Sequence, residues 1–221
     1  MNRFITPRLA EIASLVHPGA SVIDVGSDHA YVPIFLLREK KATCALATDV
    51  HDGPLQRALS NIRQFGLEDK IRVQKANGLL GVNTDPFDTV IIAGMGGMLI
   101  ADILSHAGIL PEKHLILQPM TAIPELRYFL CTNGFRIVRE RIVQEEDKLY
   151  VVMEVEKGED IPYSDVELLL GRNNKQEMLF DSWKNEVKDK LQKKVLGLCS
   201  AKIRKEEEIK KIQNILRELN K

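Results

Sequence analysis

The sequence has few of the residues that cross-link small secreted domains or hold metal clusters. Its three cysteines, in 221 residues, form no C-x-x-C pair, so neither a disulfide framework nor a zinc cluster is expected. Four of the histidines, at positions 17, 51, 106 and 114, show no metal-ligand spacing. We therefore predict a protein with no metal site.

Long hydrophobic runs are also missing. The longest apolar stretch, residues 90–101, is interrupted by three glycines and is shorter than the ~20 residues that span a bilayer. The first residues, M-N-R-F-I-T-P-R-L, lack the continuous apolar core of a signal peptide. We expect no membrane contact, a cytoplasmic location and a monomer.

The chain has no net charge, because 31 Lys and Arg residues balance 31 Asp and Glu residues. The balance is uneven along the chain: residues 1–160 contain 17 basic and 21 acidic side chains, whereas residues 161–221 contain 14 and 10. At roughly 100–200 residues per domain, this length and this asymmetry predict one domain over 1–160 and a basic appendage over 161–221.

Short apolar runs alternate with amphipathic stretches over most of the first region. The runs predicted as buried strands are 21–25, 43–48, 71–74, 89–93 and 115–118. The amphipathic stretches between them predict helices. Buried strands separated by helices form parallel βαβ units, so we predict an α/β fold with a mostly parallel sheet covered on both faces.

The end of the first region breaks this pattern. Two β-rich runs, 135–143 and 149–156, are joined by only Q-E-E-D-K. This link leaves no room for a crossover helix, so the two runs are predicted to pair as an antiparallel hairpin. A mostly parallel seven-stranded sheet closed by such a hairpin resembles the Rossmann-like fold of class I methyltransferases.

The second region has the pattern of a helical hairpin. Apolar residues recur at spacings of three and four over 180–195 and again over 209–219, which is typical of amphipathic helices with narrow apolar seams. We predict that two helices meet around residues 197–200 in a small coiled-coil-like appendage. The predicted seam of the second helix comprises Ile209, Ile212, Leu216 and Leu219.

The first predicted strand leads into the turn D-V-G-S-D-H-A, residues 24–30. Dinucleotide recognition needs G-x-G-x-x-G, so that backbone N–H groups can approach a pyrophosphate. Here Asp28 replaces the second glycine and would repel that group. S-adenosylmethionine (SAM) carries an ammonium and a sulfonium beside one carboxylate, which makes nearby carboxylates favourable. The turn therefore favours SAM over NAD or FAD.

Further polar positions follow the next three strands. Asp49 in A-T-D-V can accept hydrogen bonds from ribose hydroxyls, Asn77 in A-N-G-L can pair with adenine, and Gly78 lets the ring lie against the backbone. A-G-M-G-G, residues 93–97, follows the fourth strand. Each feature alone is more typical of a helix cap or a turn. Four of them after successive strands predict one SAM site at the carboxyl ends.

The motifs D-V-G-S-D-H-A-Y-V-P, A-T-D-V, A-N-G-L, I-I-A-G-M-G-G and L-I-L-Q-P resemble those of TrmK, a bacterial tRNA methyltransferase family, over residues 9–156. The resemblance implies methylation of N1 of adenine 22 in the D-arm of tRNA, with SAM as the cofactor. A helical C-terminal appendage also belongs to that architecture. The cofactor-binding residues implied by the resemblance are Asp24, Gly26, Asp28, His29, Asp49, Asn77, Gly78 and Gly94. We predict that their neighbours Ser27, Val50, Ala93, Met95 and Gly96 also border the cofactor.

The expected chemistry needs little acid–base help. Adenine N1 is nucleophilic without losing a proton, so alignment with the methyl group can supply most of the catalysis. The ring becomes cationic, and Asp28 is our candidate for stabilising that charge, although it can equally serve as a cofactor ligand only. We predict that His29 or Tyr31 orients the base and that Gln118 hydrogen-bonds the adenine edge.

The basic character of the second region peaks over 184–205, with eight Lys and Arg residues against two acidic ones. Charged helices usually present solvated faces, but the resemblance favours a surface that binds tRNA phosphates. The predicted RNA-binding residues are Lys184, Lys188, Lys190, Lys193, Lys194, Lys202, Arg204 and Lys205.

Three other functions stay open at this point. One is methylation of another RNA or of a small molecule. The second is RNA binding without catalysis, by a protein with a vestigial SAM fold. The third, disfavoured by Asp28, is a nicotinamide oxidoreductase.

Overall fold

The structure, a computed structural model, describes residues 5–107, 112–172, 174–200 and 205–220. The strands are β1 (Ala20–Val25), β2 (Ala42–Asp49), β3 (Ile71–Lys75), β4 (Thr89–Gly96), β5 (His114–Thr121), β6 (Phe135–Glu145) and β7 (Lys148–Lys157). The helices are α1 (Pro7–Leu15), α2 (Tyr31–Arg38), α3 (Asp52–Gln64), α4 (Gly97–His106), α5 (Ile123–Thr132), α6 (Asp165–Leu170), α7 (Phe180–Ser200) and α8 (Glu206–Leu219). Among the described helices, none has the length and apolarity to span a membrane.

All seven strands form one sheet in the order β3-β2-β1-β4-β5-β7-β6. Strands β1 to β5 pair in parallel, and β7 is antiparallel to both β5 and β6. Because β6 therefore runs in the same direction as β5, the ends of β1 to β6 meet at one side of the sheet, which we call the carboxyl edge. This topology confirms the predicted Rossmann-like methyltransferase fold with its terminal hairpin.

Apolar side chains cover both faces of the sheet, as a mostly parallel sheet requires. In β4, Val90 and Ile92 pack into one core cluster, while Ile91 between them packs into the cluster on the other face. Leu115 and Ile116 of β5 divide in the same way. This alternation follows from the two-residue repeat of a strand, and it explains why the central strands read as continuous apolar runs.

Two short helices were not predicted, although both carry start signals in the sequence. Thr6 caps α1 by accepting a hydrogen bond from the Leu9 N–H, and a proline occupies the first turn. Ser164 and Glu167 form a reciprocal capping box at the start of α6, a pattern that marks helix N-termini.

Helices α6, α7 and α8, which we call the arm, share the core of the sheet. Trp183 and Val187 of α7 and Leu219 of α8 belong to the same apolar cluster as the central strands. Helix α7 ends at Ser200, the last residue of the predicted meeting point at 197–200, and α8 begins at Glu206. In α8 the buried seam passes through Ile215, whereas Leu216, predicted for that seam, is only half-buried.

A buried arginine pairs α5 with β6 and also binds the arm. The Arg127 Nε donates to Glu140 Oε1 at 2.8 Å, and both side chains are fully buried. A second Arg127 nitrogen donates to the backbone carbonyl oxygen of Leu168, at 2.6 Å, at the end of α6. Burial raises the pKa of Glu140 even though Arg127 opposes the shift. Because removing one partner of such a pair costs about 3–5 kcal/mol, the Arg127 guanidinium is held firmly in the position from which it binds α6.

Candidate functional site

The turn at the end of β1 begins with a buried carboxylate. Asp24 is 7 % exposed, and it accepts a hydrogen bond from the Ser27 hydroxyl. Within the described residues no basic side chain lies at ion-pair distance from it. Burial raises the pKa of Asp24 to about 7, although the Ser27 hydrogen bond opposes this shift. A buried acid that lacks a cation fits a positively charged ligand.

Asp28 lies on the same turn but in a different environment. Its side chain is half-exposed, and Arg57 of α3 donates to its Oδ1 from Nε at 2.9 Å. His29 Nε2 lies 3.5 Å from its other oxygen, and the His29 ring stacks on Tyr31 with centroids 4.8 Å apart. The fold therefore brings these three predicted residues together. Arg57 was not predicted, since 29 positions separate it from Asp28 and no motif marks it.

The ends of β2 and β3 provide the next polar groups along the edge. Asp49 Oδ1 accepts from the His51 N–H at 2.8 Å, and the Asp49 carbonyl accepts from the Ala76 N–H at 3.0 Å. Asn77 begins a turn in which its carbonyl accepts from the Leu80 N–H at 3.1 Å. These contacts hold the loops that carry both predicted adenosine ligands.

The end of β4 contains a bulge. Ala93 pairs with Gln118 and Met95 pairs with Pro119, so Gly94 has no partner residue in β5. Gly94 has a φ of +77°, a conformation that glycine adopts without strain. The Met95 methyl group lies where a Cβ on Gly26 would be. The bulge thus brings the β4 turn into contact with the β1 turn.

Gln118 is fully buried, and its amide is occupied by the protein itself. Its Oε1 accepts from the Arg8 guanidinium at 2.6 Å and from the Gly94 N–H at 3.2 Å. Its Nε2 donates to the Pro119 carbonyl at 2.9 Å. These protein partners place Gln118 against the β4 turn, and its contact with the adenine edge stays a prediction. Arg8 was missed because it lies far from every motif.

The predicted cofactor-binding residues follow the ends of β1, β2, β3 and β4, which are adjacent in the sheet. These strands flank the point where the order reverses between β1 and β4, the usual ligand position in open α/β sheets. One edge therefore gathers the four motif segments, 24–29, 49–50, 77–78 and 93–96.

Only some of the basic residues predicted for the arm are available for a ligand. Lys190 lies 2.6 Å from Glu186, and both Lys194 and Lys205 lie within ion-pair distance of Glu208. Among the described residues, carboxylates do not reach ion-pair distance of three others, Lys184, Lys188 and Lys193. Two more, Lys202 and Arg204, lie outside the described residues.

A histidine cluster lies away from the carboxyl edge. His114 Nε2 is 3.0 Å from Glu154 Oε1, and His17 Nε2 is 3.7 Å from the same oxygen. The two imidazole rings stack 4.2 Å apart at an angle of 10°. Parallel rings direct their nitrogen lone pairs along parallel lines and not toward one ion, so this arrangement is that of a hydrogen-bonded group. The absence of a metal site stays a prediction.

Comparison with known proteins supplies the family. The methyltransferase domain family matches residues 5–153. A tRNA (adenine(22)-N(1))-methyltransferase of Bacillus subtilis is 35% identical over 171 residues, which cover 76% of this chain and 71% of that protein. The chain belongs to the tRNA (adenine(22)-N(1))-methyltransferase family.

Solved structures of this family also match the arm. The crystal structure of the B. subtilis m1A22 tRNA methyltransferase TrmK is 27% identical, has a TM-score of 0.87 and covers 98% of this chain and 97% of its own. M. capricolum TrmK in complex with S-adenosyl-homocysteine is 27% identical, with a TM-score of 0.83 and coverages of 98% and 96%. The family fold therefore includes the helical appendage as well as the sheet.

Proposed function

We propose that this protein transfers the methyl group of SAM to N1 of adenine 22 in tRNA. The observation that supports SAM as the cofactor is the buried Asp24. It lies on the turn where this fold holds its ligand, and the described part of the chain places no basic side chain at ion-pair distance from it. The assignment of adenine 22 as the methylated base rests on membership of the tRNA (adenine(22)-N(1))-methyltransferase family. Together they favour this reaction over the nicotinamide and non-catalytic alternatives. Because the substrate is tRNA, we place the reaction in the bacterial cytoplasm.

Each of the four motif segments contacts a different part of the cofactor. Bound SAM supplies a methyl group on a positively charged sulfur. Asp24 faces the methionine ammonium, and its carboxylate becomes fully ionised when a cation is beside it. Asp49 accepts hydrogen bonds from the ribose hydroxyls, and Asn77 pairs with the adenine ring. The positive φ of Gly78, +60°, allows the backbone there to approach that ring closely.

Asp28, His29 and Tyr31 act on the substrate adenine. Arg57 holds the Asp28 carboxylate in one orientation, where it stabilises the positive charge that develops on the methylated ring. The stacked His29 and Tyr31 rings orient the base. Because half of the Asp28 side chain is exposed, its electrostatic effect is weakened by solvent.

The arm and its neighbours contact the rest of the tRNA. Lys184, Lys188 and Lys193 provide charges for phosphates. A groove of about 670 Å³ runs between the arm and helices α4 and α5, and one end of it lies at the N-termini of those two helices, near the carboxyl edge. Tyr128 in this groove is 60 % exposed and offers a face on which an unpaired base can stack.

The deciding experiment is incubation of the protein with SAM and unmodified tRNA transcripts, followed by primer extension. Methylation at N1 blocks the Watson–Crick edge, so we expect a new stop at adenine 22. The matched control is a transcript with guanine at position 22, which should give no stop there. A stop at another position, or transfer only to a different RNA or to a small molecule, would contradict the assignment. Calorimetry with SAM separates an inactive binder from a protein that has lost the cofactor.

A further inference from the structure

Arg8, in the first turn of α1, crosses from the N-terminal helix to the carboxyl edge. Its backbone N–H donates to Glu145 Oε2 at 3.0 Å, and its side chain, 18 % exposed, donates to Gln118 Oε1 at 2.6 Å. The guanidinium also lies 5.4 Å from the centre of the Tyr150 ring. Arg8 thus joins α1, β5 and the tip of the β6–β7 hairpin.

Glu145 holds Arg8 in this position. Burial alone would raise the pKa of Glu145, but hydrogen bonds from Thr6 and from Arg8 outweigh it, so that the pKa is lowered. Glu145 is therefore a carboxylate at neutral pH, and its Oε1 lies 3.6 Å from the Arg8 Nε. The guanidinium is fixed at one end by this charge and at the other by Gln118.

The Gly94 N–H in the bulge needs a hydrogen-bond acceptor, and the backbone of β5 does not provide one. Because Gly94 has no partner residue in β5, its N–H turns to the Gln118 side chain at 3.2 Å. A glutamine amide can be rotated by 180°, which exchanges its oxygen and nitrogen. In the rotated state the Gln118 NH₂ group would face the Gly94 N–H, and two donors would meet.

Arg8 selects between these two states of Gln118. A guanidinium has donors only, so it accepts no hydrogen bond from an NH₂ group and keeps Oε1 turned toward itself and toward Gly94. The Pro119 carbonyl then receives the NH₂ group on the other side. Gln118 therefore couples the position of Arg8 to the orientation of the backbone at the bulge.

The orientation of this peptide matters for the site. In a trans peptide the Ala93 carbonyl points opposite to the Gly94 N–H. With that N–H directed at the Gln118 side chain, a change in the orientation of Gln118 also changes the direction of the Ala93 carbonyl. The next residue, Met95, contacts Gly26 of the β1 turn. A change at Gln118 would therefore shift two groups that border the reaction site.

We propose that Arg8 is a positioning residue for methyl transfer, which acts through Gln118 to fix the bulge at Gly94 between the β1 and β5 turns. This inference rests on the proposed function for its effect on turnover, although the hydrogen-bond chain itself does not. Arg8 contacts neither substrate nor cofactor in this scheme. Its effect passes entirely through the Gln118 amide.

The kinetic test is a double-mutant cycle of Arg8→Ala and Gln118→Ala, measured as kcat and tRNA KM. We expect each single change to lower kcat about tenfold or more, because small misplacements of reacting groups are costly, and to leave tRNA KM within about twofold. The double variant should be no slower than the slower single variant. Multiplied effects in the double variant would show that the two residues act independently, and a rise in tRNA KM as the main effect of Arg8→Ala would indicate an RNA contact. Either result would overturn the proposal.

Two further variants serve as controls for the double-mutant cycle. Arg8→Lys keeps a donor near Gln118, and we expect it to fold and to recover most of the lost kcat. Arg136→Ala removes an exposed arginine that pairs with Glu156 far from Gln118, and it should leave kcat unchanged. If Arg8→Lys were as slow as Arg8→Ala while Arg136→Ala kept wild-type kcat, a single donor would not suffice and the amide-orienting role would be wrong.

A second readout does not depend on activity. In amide NMR spectra, the Gly94 resonance should shift, and its hydrogen exchange should accelerate, in Arg8→Ala and in Gln118→Ala alike. An unchanged Gly94 resonance in Arg8→Ala refutes the link, whatever the kinetics show. If the wild-type protein methylates no tRNA, the proposed function fails, and the Gly94 resonance still decides whether Arg8 acts through Gln118.

Discussion

The carboxyl edge and the arm carry charge in opposite ways. At the edge, Asp24 is buried with one hydroxyl partner, and Asp28 is held by one arginine. In the arm the charges are exposed, and several cancel locally, as Lys194 does with Glu208. At the carboxyl edge the charge therefore resides on a few individual side chains, whereas in the arm it is distributed over many.

This difference sets how each region responds to change. A buried group without an alternative partner is costly to remove, because nothing replaces its interaction. An exposed charge is screened by solvent and salt, so that each one contributes little. We therefore expect large effects from single substitutions at the edge and small, cumulative effects in the arm.

Asp24→Asn should have the largest effect. It keeps the size of the side chain but removes the charge that faces the cofactor ammonium, at a cost of about 3 kcal/mol or more. We expect the Kd for SAM, measured by calorimetry, to rise at least about 100-fold. Asp88→Asn is the matched control, because Asp88, directly before β4, accepts a hydrogen bond from the Ser21 N–H at the start of β1, and the SAM Kd of this variant should not change. A Kd within tenfold of wild type for Asp24→Asn would contradict the role.

The pH dependence of SAM binding tests the same group without a mutation. With a pKa of about 7 in the free protein, Asp24 must lose a proton before it pairs with a cation. Affinity should fall about tenfold per pH unit from pH 7 to pH 5 and level off above pH 7. Asp24→Asn should remove this slope, and an unchanged slope in that variant would assign it to another group.

The stability of the free protein should depend on pH in the opposite sense. A raised carboxyl pKa means that the folded state favours the protonated form. The contribution of Asp24 to stability is therefore present below about pH 4 and is lost as the pH rises through about 7. Chemical unfolding of wild type and Asp24→Asn across this range would measure the difference.

Asp28→Asn should have an intermediate effect. We expect kcat to fall about 30-fold, less than for a fully enclosed catalytic charge, with the SAM Kd raised less than about fivefold. Asp52→Asn removes an exposed carboxylate that pairs with Lys75, and it should leave both constants unchanged. Equal losses in kcat and in SAM affinity would make Asp28 a cofactor ligand only.

Triple substitutions in the arm should have the smallest effect per residue. Changing Lys184, Lys188 and Lys193 to alanine removes the lysines that lack a described carboxylate partner, and we expect tRNA KM to rise about tenfold. The salt dependence of tRNA binding should weaken by up to about three counterions. The same change at three paired lysines, Lys190, Lys194 and Lys205, should do less. Equal increases in tRNA KM from the two triple variants would mean that ion pairing with a nearby carboxylate does not determine which lysines contact the RNA.

Most of the fold could be predicted from the sequence because its determinants are local. Each buried strand is an apolar run, and the five residues between the runs 135–143 and 149–156 leave room only for a hairpin, which the structure closes with the two residues between β6 and β7. The seam of α8 was misassigned by one residue, since Ile215 and Leu216 are both apolar and only packing decides which one faces inward.

The position of the motif segments at one edge was predictable where one motif directly follows a strand, as at Asp24 and Asn77, whose roles as cofactor ligands stay predictions. The site was not predictable where two distant segments meet. Arg8 lies 110 positions from Gln118 and Arg57 lies 29 from Asp28, and no spacing in the sequence encodes either contact. Gln118 was placed in the right region, but its partners could be known only from the fold.

Leu219 near the end of α8 is 1 % exposed and packs in the cluster of the central sheet. During synthesis the last strand of that sheet, which ends at Lys157, leaves the ribosome well before Leu219. At ~5–20 residues per second, roughly 3 to 12 seconds pass between synthesis of the last strand and synthesis of Leu219, which completes the apolar cluster. In that interval the nascent enzyme presents uncovered hydrophobic surface to the cell, so its yield should depend on chaperones more than its modest size suggests.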